Sequence, residues 1–188
     1  AKLAKITGRE NNMGKRTDFE RIERDFYPTP YEAVVPLLKH LPPDGCTFDE
    51  PCAGDGSLIG HLSKHGHDCS LMTDINPSAL HIIKQDAFDV TECLGDCFIT
   101  NPPWLWKTLD QIISHFSSIS ETWLLLNADL MHNKRMARHM EYCAKILSVG
   151  RVSWMQNGKK GFENCAWYLF DQECDFATIF FARDEGPR

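Results

Sequence analysis

From residue 26 onward, short apolar runs alternate with longer stretches whose apolar residues recur every three or four positions. Val34, Val35, Leu37, Leu38 and Leu41 share one face of a helix predicted over residues 30–41, which Pro42-Pro43 stops. Residues 46–50 read as a buried strand. A Gly-containing turn and a helix over residues 57–64 follow it. Residues 68–74 predict a second strand, Asn76-Pro77 opens a helix through Ile82 and Ile83, and a short third strand precedes Asp86. Next come a strand over 97–101, a helix over 105–116, a strand over 122–127 and a helix over 133–145. After Ile146 the rhythm changes, and 147–155, 165–170 and 176–182 all read as strands with no helix between them. A β-α-β-α run closing in a meander predicts an α/β fold: a mainly parallel sheet with an antiparallel portion at its end.

Composition narrows this picture. A chain of 188 residues makes one domain, and its 43% hydrophobic content suffices for a core. The formal net charge of −6 argues against a broad nucleic-acid-coating surface. The charge is uneven, however: the first 24 residues carry seven basic and four acidic side chains. Residues 1–25 therefore read as a flexible basic arm, either a solvated terminus or a phosphate contact, and residues 26–188 as the folded domain. The eight cysteines include no C-x-x-C pair, and no secretory leader is legible, which predicts reduced thiols in the cytoplasm. Trp123, Trp154 and Trp167 read as core residues of strands, and His61, His65 and His67 as surface. No metal site and no membrane span are expected.

Asn101-Pro102-Pro103-Trp104 directly follows the apolar run Cys97-Phe98-Ile99-Thr100. Strand carboxyl ends are where open parallel sheets bind ligands. Two prolines fix φ and provide no N–H, leaving carbonyls at a preset angle. The Asn101 side-chain oxygen and the Pro102 carbonyl can then both accept from one planar amino group, holding its nitrogen for in-line attack on a methyl group. Trp104 offers a face for a base. The same four residues also suit a Pro-Pro turn with a buried Trp.

Upstream, Glu50-Pro51-Cys52-Ala53-Gly54-Asp55-Gly56-Ser57 places an acidic strand end, a Gly turn and a helix start in order. Asp55 disfavours a phosphate-bearing ligand there. Asp74, followed by Ile75, lies 20 positions past Gly54 and suits ribose hydroxyls. Asp86 suits an adenine amino group, with Ala87 or Phe88 flanking the ring. Taken singly, a Gly-x-Gly is also met as an ordinary turn, and each carboxylate as a cap or turn residue. Together they describe a nucleoside-shaped pocket.

Over residues 26–130 these motifs resemble, in order, those of the class I S-adenosylmethionine-dependent methyltransferases. The likeness is to the enzymes that methylate amino nitrogens of nucleic acids, above all the small DNA adenine-N6 methyltransferases of phages and prophages. The resemblance implies a Rossmann-like, mainly parallel seven-stranded sheet with helices on both faces and an antiparallel C-terminal strand. It implies S-adenosylmethionine as cofactor. Tyr27 and Thr29, in Tyr27-Pro28-Thr29-Pro30, match the segment that touches the methionine part. Glu50, Pro51, Cys52, Ala53, Gly54 and Gly56 match the cofactor loop. Asp74 and Ile75 match the ribose site, Asp86 and Ala87 the adenine site, and Asn101 to Trp104 the catalytic tetrapeptide. In the polar loop 157–164, Phe162 matches an aromatic that would sandwich a flipped base opposite Trp104. Lys159 and Lys160 would pair with phosphates, or simply occupy a hairpin loop, and Trp106 and Lys107 belong to a substrate-facing loop.

The expected activity is methyl transfer to adenine in DNA, in the cytoplasm of a prokaryote or a phage-infected host cell. The alternatives are RNA adenine, cytosine-N4, protein-glutamine or small-molecule methylation, and a non-catalytic methyltransferase-like subunit. The chain leaves no length for a target-recognition domain, so target choice would fall to short loops, the basic arm, a recognition subunit or a homodimer.

Overall fold

The computed structural model describes residues 27–155, 157–175 and 177–183. The basic arm expected over residues 1–25 lies outside the described residues, as do Gln156, Phe176 and residues 184–188. The strands are β1 (Thr47–Glu50), β2 (Asp68–Asp74), β3 (Ile83–Lys84), β4 (Cys97–Thr100), β5 (Thr122–Asn127), β6 (Cys143–Gly150), β7 (Cys165–Phe170) and β8 (Ile179–Phe181). The helices are α1 (Tyr31–Leu38), α2 (Ser57–Ser63), α3 (Trp106–Ser117) and the single turn α4 (Ala137–Met140). The strands form one sheet in the order β3-β2-β1-β4-β5-β7-β6-β8.

All neighbours pair parallel except β7, which is antiparallel to both β5 and β6. The expected mainly parallel α/β sheet is present, with an eighth strand added. That strand, β8, is three residues long, sits at the edge and runs parallel to β6. The antiparallel strand is therefore the last but one.

Alternation of side chains along the strands produces two cores. Ile99, Trp123, Leu125, Trp167 and Leu169 face one way and pack with Ala33, Val34, Leu37, Leu58 and Leu62 of α1 and α2. Phe98, Leu124, Leu126, Tyr168 and Phe170 face the other way, against Leu109, Ile112, Ile113 and Phe116 of α3. Helices thus cover both faces, which explains why β4, β5 and β7 are buried at nearly every position. Burying one such large apolar side chain contributes roughly 1.5–3 kcal/mol. Trp167 and Trp123 are core residues as expected. The Trp167 indole N–H also donates to the Ala33 carbonyl at 2.7 Å, fixing α1 on the sheet.

Three expected elements differ. No helix forms over residues 76–83. Asp74 accepts the Asn76 amide, the Ser78 amide turns to the Gly54 carbonyl, and Leu80 is fully exposed. Short polar contacts to the Gly loop replace the helical ladder there. The helix expected over 133–145 shrinks to 3-10 turns and α4, because Cys143 and Lys145 already pair with β7. The strand expected over 147–155 accordingly starts earlier and stops at Gly150, whose φ of 85° breaks it. Trp154 therefore lies in the loop beyond β6, not in a strand.

This topology gathers the strand ends at one rim. From β1 the chain winds outward to β2 and β3, then returns to the other side of β1 as β4. Such a reversal opens a crevice at the strands' carboxyl ends. Because β7 runs backwards, Cys165 pairs with both Asn127 and Gly150, so the loop from 151 to 164 rises at that same rim.

Candidate active site

The rim is built from strand ends. β1 ends at Glu50, β2 at Asp74, β3 just before Gln85-Asp86, and β4 just before Asn101. Between β1 and α2 the chain turns through Gly54 (φ 55°) and Gly56 (φ 80°), conformations that favour glycine. Asp74 locks this turn to β2. Its Oδ2 accepts the Gly54 amide at 2.9 Å and its Oδ1 the Asn76 amide at 2.7 Å. Asp55 accepts the Ser57 amide at 2.9 Å at the start of α2. Asp86 accepts the Phe88 amide at 3.0 Å. Asp86 thus caps a 3-10 turn, Asp55 and Asp74 hold turns, and each keeps free lone pairs for a ligand.

Together these elements enclose a cleft of about 850 Å³. Its walls include Tyr27, Thr29, Glu50, Pro51, Cys52, Ala53, Gly54, Asp74, Ile75, Asp86, Ala87, Asn101 and Pro103 from the sequence-derived set. Gly56, Pro102 and Trp104 do not line it. The inner face of α3 adds Thr108 and Ile112, with Leu105 before it, and α2 adds Leu58. Their spacing of three and four residues marks a helix face, but nothing local in the sequence tells that this face looks into a cleft.

Among the described residues, four carboxylates line the walls, those of Glu50, Asp55, Asp74 and Asp86, and no Lys, Arg or His does. Glu50 is only 2% exposed, and its Oε2 has no hydrogen-bond partner among the described residues. Burial, then the nearby Asp55 and Asp74 charges, hold its carboxyl well above the usual range. A buried carboxyl oxygen without a partner costs free energy that a donor reaching it would recover. Burial also pushes the Cys52 thiol up, which leaves it an inert wall. No described cluster of His, Cys, Asp or Glu is arranged to hold a metal.

Asn101 stands where the cleft meets β4. Its amide nitrogen donates to the Thr29 hydroxyl at 3.2 Å, which orients the amide and leaves Oδ1 as the acceptor. Thr29, just before α1, is itself buried. Trp104 turns toward the sheet instead. Its indole N–H donates to the Leu125 carbonyl at 3.0 Å, and it packs against both cores. Trp154 meets it edge-on at 5.6 Å and reaches Tyr27 at 6.1 Å. Trp154 thus ties the tetrapeptide to the segment before α1, a role no local pattern in the sequence announces. One face of Trp106 is covered by Arg135, 4.6 Å from the ring centroid. Lys107, Lys159 and Lys160 are exposed, and Phe162 is 72% exposed on the loop between β6 and β7. These last four residues stand outside the cleft walls.

No family model matches the sequence. No curated protein matches it either. Solved structures do match. A modification subunit assigned to a type I restriction enzyme of Vibrio vulnificus YJ016 superposes with a TM-score of 0.55 at 12% identity, over 86% of this chain and 48% of that one. A protein of Pyrococcus horikoshii assigned as an RNA methyltransferase gives 0.56 at 16% identity, over 77% of this chain and 85% of that one. A Listeria monocytogenes protein assigned to the class I S-adenosylmethionine-dependent methyltransferases gives 0.52 at 10% identity, over 84% and 66%. The chain spans about half the length of the Vibrio subunit and 66% of the Listeria protein. At these identities the likeness concerns architecture, and the fold is the Rossmann-like fold of the class I methyltransferases.

Proposed function

We propose that the protein transfers a methyl group from S-adenosylmethionine to the exocyclic amino nitrogen of adenine in DNA. The observation that carries this reading is Asn101, its amide nitrogen tied to Thr29 and its oxygen left to accept at the edge of an acidic, nucleoside-sized cleft. The likeness to a restriction-modification subunit supports DNA as the polymer.

The residues present fit the cofactor. A volume of about 850 Å³ accommodates a nucleoside with a side arm. The unpartnered Glu50 Oε2 suits a positively charged ligand, and Asp74 and Asp86 keep lone pairs for hydroxyl and amino donors. When bound, S-adenosylmethionine supplies an electrophilic methyl group on a sulfonium. The chain's own residues do the rest. Glu50 offsets positive charge, and Leu58 and Ile112 furnish apolar wall. Asn101 Oδ1 and the Pro102 carbonyl accept from the target amino group and aim its nitrogen. Phe162 covers the extruded base from the loop at the rim, and Lys159 and Lys160 contact phosphates. Trp104 braces the tetrapeptide through Leu125 and Trp154. Sequence choice falls to the rim loops together with a recognition subunit or a second copy of the chain.

Mass spectrometry of nucleosides from DNA incubated with enzyme and cofactor tests the reading, with N6-methyladenine as the expected product. Asn101→Ala should retain cofactor binding and lose about a hundredfold or more in turnover, the scale of losing one preorganised polar contact to the reacting group. Wild-type turnover by Asn101→Ala sinks the proposal. Product found only in RNA, in cytosine or in protein glutamine replaces the substrate assignment.

A further inference from the structure

Outside the cleft, the segment between β5 and β6 carries an unexplained run of charge. Residues 134–138 hold Lys134, Arg135 and Arg138 with no acidic residue among them, in a chain of net charge −6. Arg138 is engaged: its guanidinium meets Asp110 Oδ2 at 2.7 Å. The other Asp110 oxygen contacts His139 Nε2 at 2.8 Å, and His139 is fully buried. Asp110 lies on α3, so this double contact clamps the segment to the helix that walls the cleft. Lys134, Arg135 and the neighbouring Lys107 of α3 are exposed, and no described carboxylate pairs with them.

Arg135 is held in place differently. Its guanidinium lies 4.6 Å from the centroid of Trp106, whose ring also meets His139 edge-on at 6.2 Å. A guanidinium held over an aromatic face still offers N–H donors at its edge, and these suit phosphate. The helical wheel sets its place relative to the cleft. Leu105, Thr108 and Ile112 face inward, while Trp106 and Asp110 sit one step around the helix, on the face that meets this segment. Trp106 follows Asn101 by five residues, so its Cα is at most about 18 Å from that of Asn101. Phosphates along one strand are spaced at about 3.4 Å along the helix axis.

We propose that Arg135 stacked on Trp106, with Lys107 and Lys134, forms a ridge beside the cleft that grips the phosphodiester backbone of the substrate within about five nucleotides of the target base. Trp106 is then a platform for a cation rather than a surface for a base. The proposal rests on the methyltransferase reading only for what the strand is brought there to undergo.

The test is fluorescence anisotropy of a labelled DNA duplex between 50 and 200 mM salt, with wild type, Arg135→Gln, Arg135→Lys and the double variant Lys134→Gln/Arg135→Gln. Each lost phosphate contact should lower the slope of log affinity against log salt by about 0.9, whatever the sequence of the duplex. Arg135→Gln should lose one such step and the double variant two. Arg135→Lys should keep the slope but bind more weakly, since it retains charge without the stacked fork. A labelled RNA showing the same steps supports the ridge equally. Wild-type slopes in Arg135→Gln and in the double Gln variant, or wild-type binding that ignores salt, overturn it. S-adenosylhomocysteine affinity by calorimetry confirms an intact cleft in each variant. Altered slopes without methyl transfer to DNA keep the ridge and remove the DNA-methylation reading. Methyl transfer with unaltered slopes does the reverse.

Discussion

Glu50→Gln is the perturbation that separates a cation seat from a structural acid. The substitution keeps the size and shape of the side chain and replaces the titrating carboxyl with a neutral amide. In the unliganded protein Glu50 is buried with an unpartnered oxygen, and burial holds its carboxyl well above the ordinary range. Folded protein then binds this proton more tightly than unfolded chain does. Its contribution to stability is complete below the unfolded pKa, about 4.3, and declines as pH rises through the folded value, by at most about 1.4 kcal/mol per pH unit. Glutamine does not titrate, so the variant should overtake wild type as pH rises. For a chain of 188 residues that gain is about 2–4 °C in Tm per kcal/mol. Cofactor binding should move the other way. Losing a hydrogen bond to a charged group costs about 1.5–3 kcal/mol, so the Kd for S-adenosylmethionine should rise roughly tenfold to a hundredfold. Wild-type affinity should also strengthen with pH across the window in which Glu50 gives up its proton. Thermal shift and calorimetry at matched pH from 6 to 9 measure both. A variant with lower Tm at pH 8 and unchanged cofactor affinity refutes the argument.

Thr29→Val removes the acceptor that orients the Asn101 amide. We expect kcat to fall about fivefold, the worth of one hydrogen bond near 1 kcal/mol, with KM for DNA little changed and Thr29→Ser restoring the rate; steady-state kinetics in which Val and Ser behave alike would contradict this. Gly95→Ala tests packing before β4, because a Cβ there would lie 2.6 Å from the Phe48 Cα. It should cost about 1–3 kcal/mol, read as a fall in urea midpoint at constant m-value, and no loss of stability would show that the strand shifts freely.

The rim was legible where the chain itself marks strand ends. Prolines and glycines punctuate residues 50–56 and 101–104, and the carboxylates at 74 and 86 follow short apolar runs, so their meeting in one cleft follows from parallel winding. Ring orientation was not legible. Trp104 and Trp106 both follow the Pro-Pro pair, yet one indole N–H finds Leu125 and the other ring finds Arg135, choices made by elements far along the chain. Long-range pairing also overrode local pattern at residues 143–145, where an apolar face fit for a helix joins β7 instead. Over residues 76–83 the apolar spacing suggested a helix, but side-chain and backbone contacts to the Gly turn claimed the amides first.

The reversed direction of β7 separates two jobs along the polypeptide. Every strand that ends at a carboxylate lining the cleft precedes Thr122, whereas the hairpin tip between Arg151 and Asn164 is bounded by a register set lower down, from Cys143 to Gly150 against Cys165 to Phe170. Lengthening or trimming that tip changes no pairing below it and adds little loop entropy. A lineage can therefore remodel what the outer residues 157–160 of the hairpin touch while Trp154 still holds Trp104 and the cleft wall at Tyr27 in place.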